Sequence, residues 1–127
     1  MRGTILHHYS RIAGKTKFLV VLNETWPPDD GFVIYAFLTS NVERVTRLSK
    51  GTSPIVILEA GSYPCCTVET AIDLTQIIDE PFAVVSSAAS YKVVAQLEAD
   101  DMAKVCDAVR RSTIVTRKLK KRILGDS

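Results

Sequence analysis

Phe32-Val-Ile-Tyr-Ala-Phe-Leu38 is an unbroken apolar run, rich in β-branched and aromatic side chains. That composition favours a strand over a helix. The run is far shorter than the ~20 residues a membrane-spanning helix needs. Working upstream, Trp26-Pro-Pro-Asp-Asp-Gly31 is a turn or loop, because two prolines and a glycine cannot continue a ladder. Before it lies Lys17-Phe-Leu-Val-Val-Leu-Asn23, a second apolar strand, preceded by a break at Gly14. A short strand over Thr4 to Tyr9 completes the N-terminal part. Three strands therefore fall within the first forty residues, joined by short links.

Downstream, Asn41 to Lys50 is polar and basic, with Val42, Val45 and Leu48 at helical spacing. One or two helical turns are expected there. Pro54-Ile-Val-Ile-Leu58 is a fourth strand and Ala60-Gly-Ser-Tyr-Pro64 a turn. Thr67-Val-Glu-Thr-Ala-Ile-Asp-Leu74 alternates most clearly: Val68, Thr70, Ile72 and Leu74 share one face, Glu69, Ala71 and Asp73 the other. Lys92 to Leu97 is a sixth, short strand. The period then changes. Glu98 to Arg111 places Met102, Val105, Cys106 and Val109 on one helical stripe, with acids at its start and arginines at its end. A second helix is expected from about Ser112, with Ile114, Leu119 and Ile123 as its apolar positions. The fold class is mainly β with C-terminal helices, in a small antiparallel barrel. Residues 1–111 make the barrel domain with its helix, and 112–127 a basic helical extension.

The 127 residues have length for one domain, and 46% apolar with 24% charged side chains is an ordinary globular balance. No signal-like apolar stretch builds after Arg2, since His7 and His8 intervene. Three cysteines, two of them adjacent, do not make a disulfide framework, and a reducing cytoplasm suits them. Charge is uneven. Residues 1–109 hold 9 Lys and Arg against 13 Asp and Glu, whereas 110–127 hold 7 against one. That asymmetry permits an anionic partner near the C-terminus.

Taken in order, Gly3-Thr-Ile-Leu, Gly14-Lys-Thr-Lys-Phe-Leu-Val-Val-Leu-Asn23, Phe37-Leu-Thr-Ser-Asn41, Thr67 to Leu74 and Gln96-Leu-Glu-Ala-Asp-Asp-Met102 form a pattern. It resembles the MazF/PemK family of bacterial toxins, small SH3-like barrels that cut single-stranded RNA. In that family a Gly-x-Arg-Pro segment opens a Val/Leu strand, a second strand ends in Thr-Ser, and a late Thr-x-Ile-x-Leu strand precedes a helix. The resemblance implies the toxin of a type II toxin–antitoxin system, a homodimer blocked by a cognate antitoxin. It implies metal-independent RNA cleavage and no cofactor. Lys17 and Phe18 stand at the family's Arg-Pro pair, while its Thr-Ser pair is kept as Thr39 and Ser40. Lys15, Asn41, Arg44 and Arg47 are the accompanying RNA-binding candidates.

RNA cleavage without a metal uses the substrate's 2′-hydroxyl as nucleophile. The protein must take that proton, offset phosphorane charge and protonate the leaving 5′-oxygen. Lys17 is the expected cation, Thr39 and Ser40 the hydrogen-bond donors, and His7 or His8 the titrating group. Adjacent strand positions face opposite sides, so only one of the two histidines can share a cleft with Lys17. Each residue also has a plain structural role: Lys17 as a surface charge, Thr39-Ser-Asn41 as a strand exit, the histidines as packed or solvated. A zinc site from His7, His8, Cys65 and Cys66 lacks the intervening residues such motifs carry. Arg117-Lys-Leu-Lys-Lys-Arg122 suits a solvated helix face, an RNA backbone or an acidic partner segment. The alternative functions are a non-catalytic barrel that binds nucleic acid or protein, favoured by Lys17 in place of Arg, and an unrelated interaction module.

Overall fold

A computed structural model describes residues 2–10, 14–23, 31–49, 55–86 and 92–125. Its strands are β1 (Thr4–Ser10), β2 (Lys15–Val21), β3 (Phe32–Thr39), β4 (Val56–Leu58), β5 (Thr70–Pro81) and β6 (Lys92–Gln96). They form one sheet in the order β4-β5-β3-β2-β1-β6, antiparallel at every pairing, shaped as a half-barrel. The loop expected at Trp26–Gly31 lies, except for Gly31, outside the described residues, as do Lys50 and Pro54.

Helices are not confined to the C-terminus. Besides α3 (Ala99–Arg111) and α4 (Arg117–Leu124), α1 (Val42–Ser49) follows β3 and α2 (Phe82–Ser86) follows β5. α1 forms where one or two turns are expected from Asn41 to Lys50, while α2 corrects the expected order of elements. The reasons are local. Asn41 caps α1, its Oδ1 accepting from the Arg44 N–H at 3.2 Å, and Val45 is buried on the side packed against β5. In α2, Val85 is fully buried.

β5 also differs from the expected span. Val68 and Glu69 are exposed and precede the strand, which begins at Thr70 and continues to Pro81. Its register against β3 jumps: Ala36 pairs with Ile77, but Phe37 pairs with Asp73. Leu74, Thr75 and Gln76 are the inserted residues, a bulge held by Asp73 Oδ1, which accepts from both the Thr75 N–H (3.1 Å) and the Thr75 hydroxyl. An odd insertion flips the phase, so the alternation read from Thr67 to Leu74 ends there.

Every residue from Val33 to Leu38 is buried. On one face of the sheet Ile5, Val20, Ile34, Ala36 and Ile72 join Val105, Ala108 and Val109 of α3. On the other, Leu6, Leu19, Val21, Tyr35 and Phe37 pack with Ile78 and with Val85 of α2. The basic segment after residue 111 belongs to the first of these cores, because Val115 and Ile123 are buried in it. Arg2 donates to the Ile123 carbonyl, Lys120 Nζ to the Ser112 carbonyl at 2.6 Å, and Arg122 pairs with Asp79 at 2.7 Å. These contacts seat α4 on the barrel.

Three residues tie neighbouring elements together. Asn23 extends the β2–β3 pairing: its Oδ1 accepts from the Ile34 N–H at 2.8 Å and its Nδ2 donates to the Phe32 carbonyl at 3.0 Å. Gly3 joins β2 to the end of β6, donating to the Val21 carbonyl and accepting from the Leu97 N–H, both at 2.8 Å. It does so at φ +88°, where a Cβ would lie 2.9 Å from Gln96 Nε2. Tyr63 ties the β4–β5 loop to α3: its hydroxyl donates to Asp101 at 2.6 Å and accepts from the Glu98 N–H at 2.9 Å. Burial, then the bond to Asp101, pushes its phenol up to about 12.

Ile123→Ala removes a fully buried side chain from the shared core and should lower unfolding free energy by about 2–4 kcal/mol. Exposed Lys118→Ala on the same helix should stay within about 0.5 kcal/mol. Urea unfolding of both variants checks the pair; equal losses would mean that α4 is not part of the barrel core.

Candidate functional site

Strand pairing decides which expected residues can meet. His8 lies directly opposite Lys17, and His7 opposite Phe18. Directly paired residues point to the same face, so His8 and Lys17 share one side of the sheet while His7 is on the other. There His7 stacks on Phe18, with ring centroids 4.7 Å apart. Leu19 pairs with Phe37. The β2–β3 pairing ends there, and two residues further along each strand Lys17 and Thr39 point to the face that Leu19 and Phe37 occupy. The Lys17 ammonium lies 5.3 Å from the Phe37 ring centre, a cation–π distance. Asp73, opposite Phe37, is buried at the same end.

The expected constellation is therefore divided. Lys17, Thr39 and His8 lie on one face, at one end of three neighbouring strands. His7 is behind the sheet. Ser40 has left β3 and is exposed. Thr39 Oγ1 accepts from the Asn41 N–H at 3.1 Å, so its hydroxyl hydrogen is left to donate elsewhere. Asn41 is engaged as the helix cap. Arg44 and Arg47 are exposed one turn apart on α1, which starts three residues after Thr39. Lys15 opens β2, paired with Ser10.

Two further residues on this face escaped the sequence reading. Tyr35 donates to Glu80 Oε1 from a fully buried position, and Glu80 itself is only 4% exposed. Glu80 Oε2 and both ring nitrogens of His8 have no hydrogen-bond partner among the described residues. Burial lowers the His8 imidazole below its ordinary range, and the charge of Glu80 partly offsets that. Neutral His8 can accept a proton near neutral pH; Lys17 supplies a fixed positive charge beside it. A signal for Glu80 was present in Ile78-Asp79-Glu80, which resumes alternation after the bulge.

Cys65 and Cys66 are remote from this face. Cys66 is buried in the helix-side core, with the two sulfurs 3.9 Å apart. Burial and the neighbouring thiol push Cys65 up to about 11, so it is a poor nucleophile at neutral pH. Among the described residues no three His, Cys, Asp or Glu side chains are arranged to hold a metal ion. None of the described helices is long and apolar enough to cross a membrane. No family model matches the chain, and no curated protein matches it.

The His8 shift has a pH consequence. As pH falls, the unfolded chain protonates His8 at its ordinary value before the folded chain does, so stability is lost from about pH 6.5 downward. Urea midpoints measured between pH 7 and 5 should fall, and His8→Leu should remove part of that slope. An NMR titration placing His8 at or above the ordinary imidazole value would overturn the assignment.

Proposed function

We propose that the face bearing His8, Lys17 and Thr39 binds single-stranded RNA and cleaves it without a metal, as in the MazF/PemK toxins the sequence resembles. One observation carries this reading. An imidazole held neutral by burial is paired across the ladder with a lysine, and a hydroxyl on the next strand points to the same face. Those groups meet two of the reaction's three demands, removal of the 2′-hydroxyl proton and stabilisation of the phosphorane, and leave protonation of the 5′-oxygen to water.

In this reading His8 takes the proton of the 2′-hydroxyl as that oxygen attacks phosphorus. Lys17 offsets the charge on the phosphorane, and Thr39 donates a hydrogen bond to one of its oxygens. The P–O5′ bond breaks, the 5′-oxygen takes a proton from water, His8 returns its own proton to solvent, and the strand is left with a 2′,3′-cyclic phosphate. Lysine acts as a point charge, without the two-pronged grip of arginine, so a slow enzyme is expected. Arg44 and Arg47, on the helix that follows Thr39, extend the positive path along the RNA backbone. The same reading brings an SH3-like barrel, a homodimer and a protein antitoxin, with the cytoplasm as the place of action.

His8 is only 2% exposed, and that favours a second reading, in which the same barrel binds nucleic acid or protein without cutting. Incubating the purified protein with single-stranded RNA and a chelator separates the two. Cleavage is expected, with Lys17→Ala slowing it about 10²–10³-fold and Thr39→Ala about tenfold. Circular dichroism would confirm that both variants are folded. RNA that is bound but left whole at several pH values supports nucleic-acid binding alone; RNA neither bound nor cut overturns the ribonuclease and RNA-binding readings and leaves a protein-interaction module.

A further inference from the structure

On the opposite side of the sheet the β5 bulge and the α3–α4 connection enclose a groove of about 300 Å³. Leu74 and Ile77 form its strand wall, and Ile114, Val115 and Leu119 its helical wall. Thr75 and Gln76 add polar groups to an otherwise aliphatic lining, and Ile114 is 43% exposed in the turn after α3, where its N–H is held by Ser112. Leaving that much aliphatic surface to water costs stability that closure onto α4 would recover. Arg122 to Asp79 and Lys120 to the Ser112 and Arg110 carbonyls hold α4 in its place beside the groove.

The cations of α4 divide into two sets. Lys120 and Arg122 hold the helix to the barrel. Arg117 and Lys118, immediately before groove-lining Leu119, are exposed and make no ion pair among the described residues. They occupy the first turn, where positive charge opposes the helix dipole, and α4 has no acidic residue there. Two unpaired cations in an unfavourable position beside an apolar groove together define a complementary ligand. It must be apolar enough to fill the groove and acidic enough to meet Arg117 and Lys118.

We propose that this groove is a docking site for an acidic peptide segment with aliphatic anchors. No aromatic side chain among the described residues lines the groove for a base to stack on, which favours a peptide over an RNA strand. Hydrophobic burial supplies the affinity, and the two cations supply charge selectivity. This proposal is independent of whether the opposite face cuts RNA.

Panning a random peptide library against the full 127-residue chain tests it. Selected sequences are expected to combine Asp or Glu with Leu, Ile or Val. A synthetic peptide made from the commonest of them should bind about tenfold more weakly to Ile114→Glu and to Lys118→Glu. Its affinity for Lys104→Glu, a charge reversal elsewhere on the surface, should be unchanged. Basic or charge-indifferent sequences, no selected sequence at all, or binding that survives Ile114→Glu would each overturn the proposal. So would competition by oligouridylate, which would make the surface an RNA contact. Sedimentation of the wild-type chain provides the last arm: a dimer that Ile114→Glu dissociates would assign the groove to a second copy instead.

Discussion

Val33 to Leu38 have protein on both sides, and the demands of that double burial reach the whole molecule. A sheet wetted on one face needs one covering layer; this one needs two. α3 and α4 supply the first, and α2, through Phe82 and Val85, supplies the second. The second layer is thinner, a five-residue helix against a central sheet. Polar groups are consequently tolerated on that side, but only with partners or near an end. Tyr35 satisfies its hydroxyl on Glu80, and Lys17 lays its ammonium over Phe37. The candidate site is on the more thinly covered face, where chemistry and packing compete for the same positions.

Much of the fold was legible because its signals are local. The β-branched run at Phe32 to Leu38, the break at Gly14 and the acid-to-base order of α3 each specify an element within a few residues. The bulge in β5 was not legible, because its cause is the pairing partner. Alternation up to Leu74 is real, yet the three inserted residues restart it in the opposite phase at Ile77. α2 was missed for a similar reason: Phe82-Ala-Val-Val-Ser86 has no strong helical composition and is helical because Val85 fits beneath the sheet. The second expected C-terminal helix had a readable stripe, but Arg117 to Arg122 looked like a solvated charge run. Lys120 and Arg122 are instead structural ties.

The candidate site followed the same division. Period-two geometry was enough to state that only one of His7 and His8 can accompany Lys17, and the register selects His8. What the sequence could not carry was long-range: that Thr39 would share a face with Lys17, that Asp73 would be buried, and that Glu80 would be drawn to Tyr35. Asp73 illustrates the point. An acid in an alternating strand is usually solvated, but here it is turned inward to organise Thr75 and the bulge. Its role is architectural, and nothing in its neighbours announces it.

Arg2 reaching the Ile123 carbonyl, and Gly3 bonding both Val21 and Leu97, give the molecule a seam between its first residues and its last elements. β1 is made before β6 and lacks that neighbour until residues 92–96 have emerged, and its helical cover until residue 123. A half-finished chain therefore presents β1 with an open edge and a bare apolar face, the condition in which strands pair with wrong partners. The fold closes only once residues 92–123 have emerged, and contacts up to 121 residues apart make that closure slow.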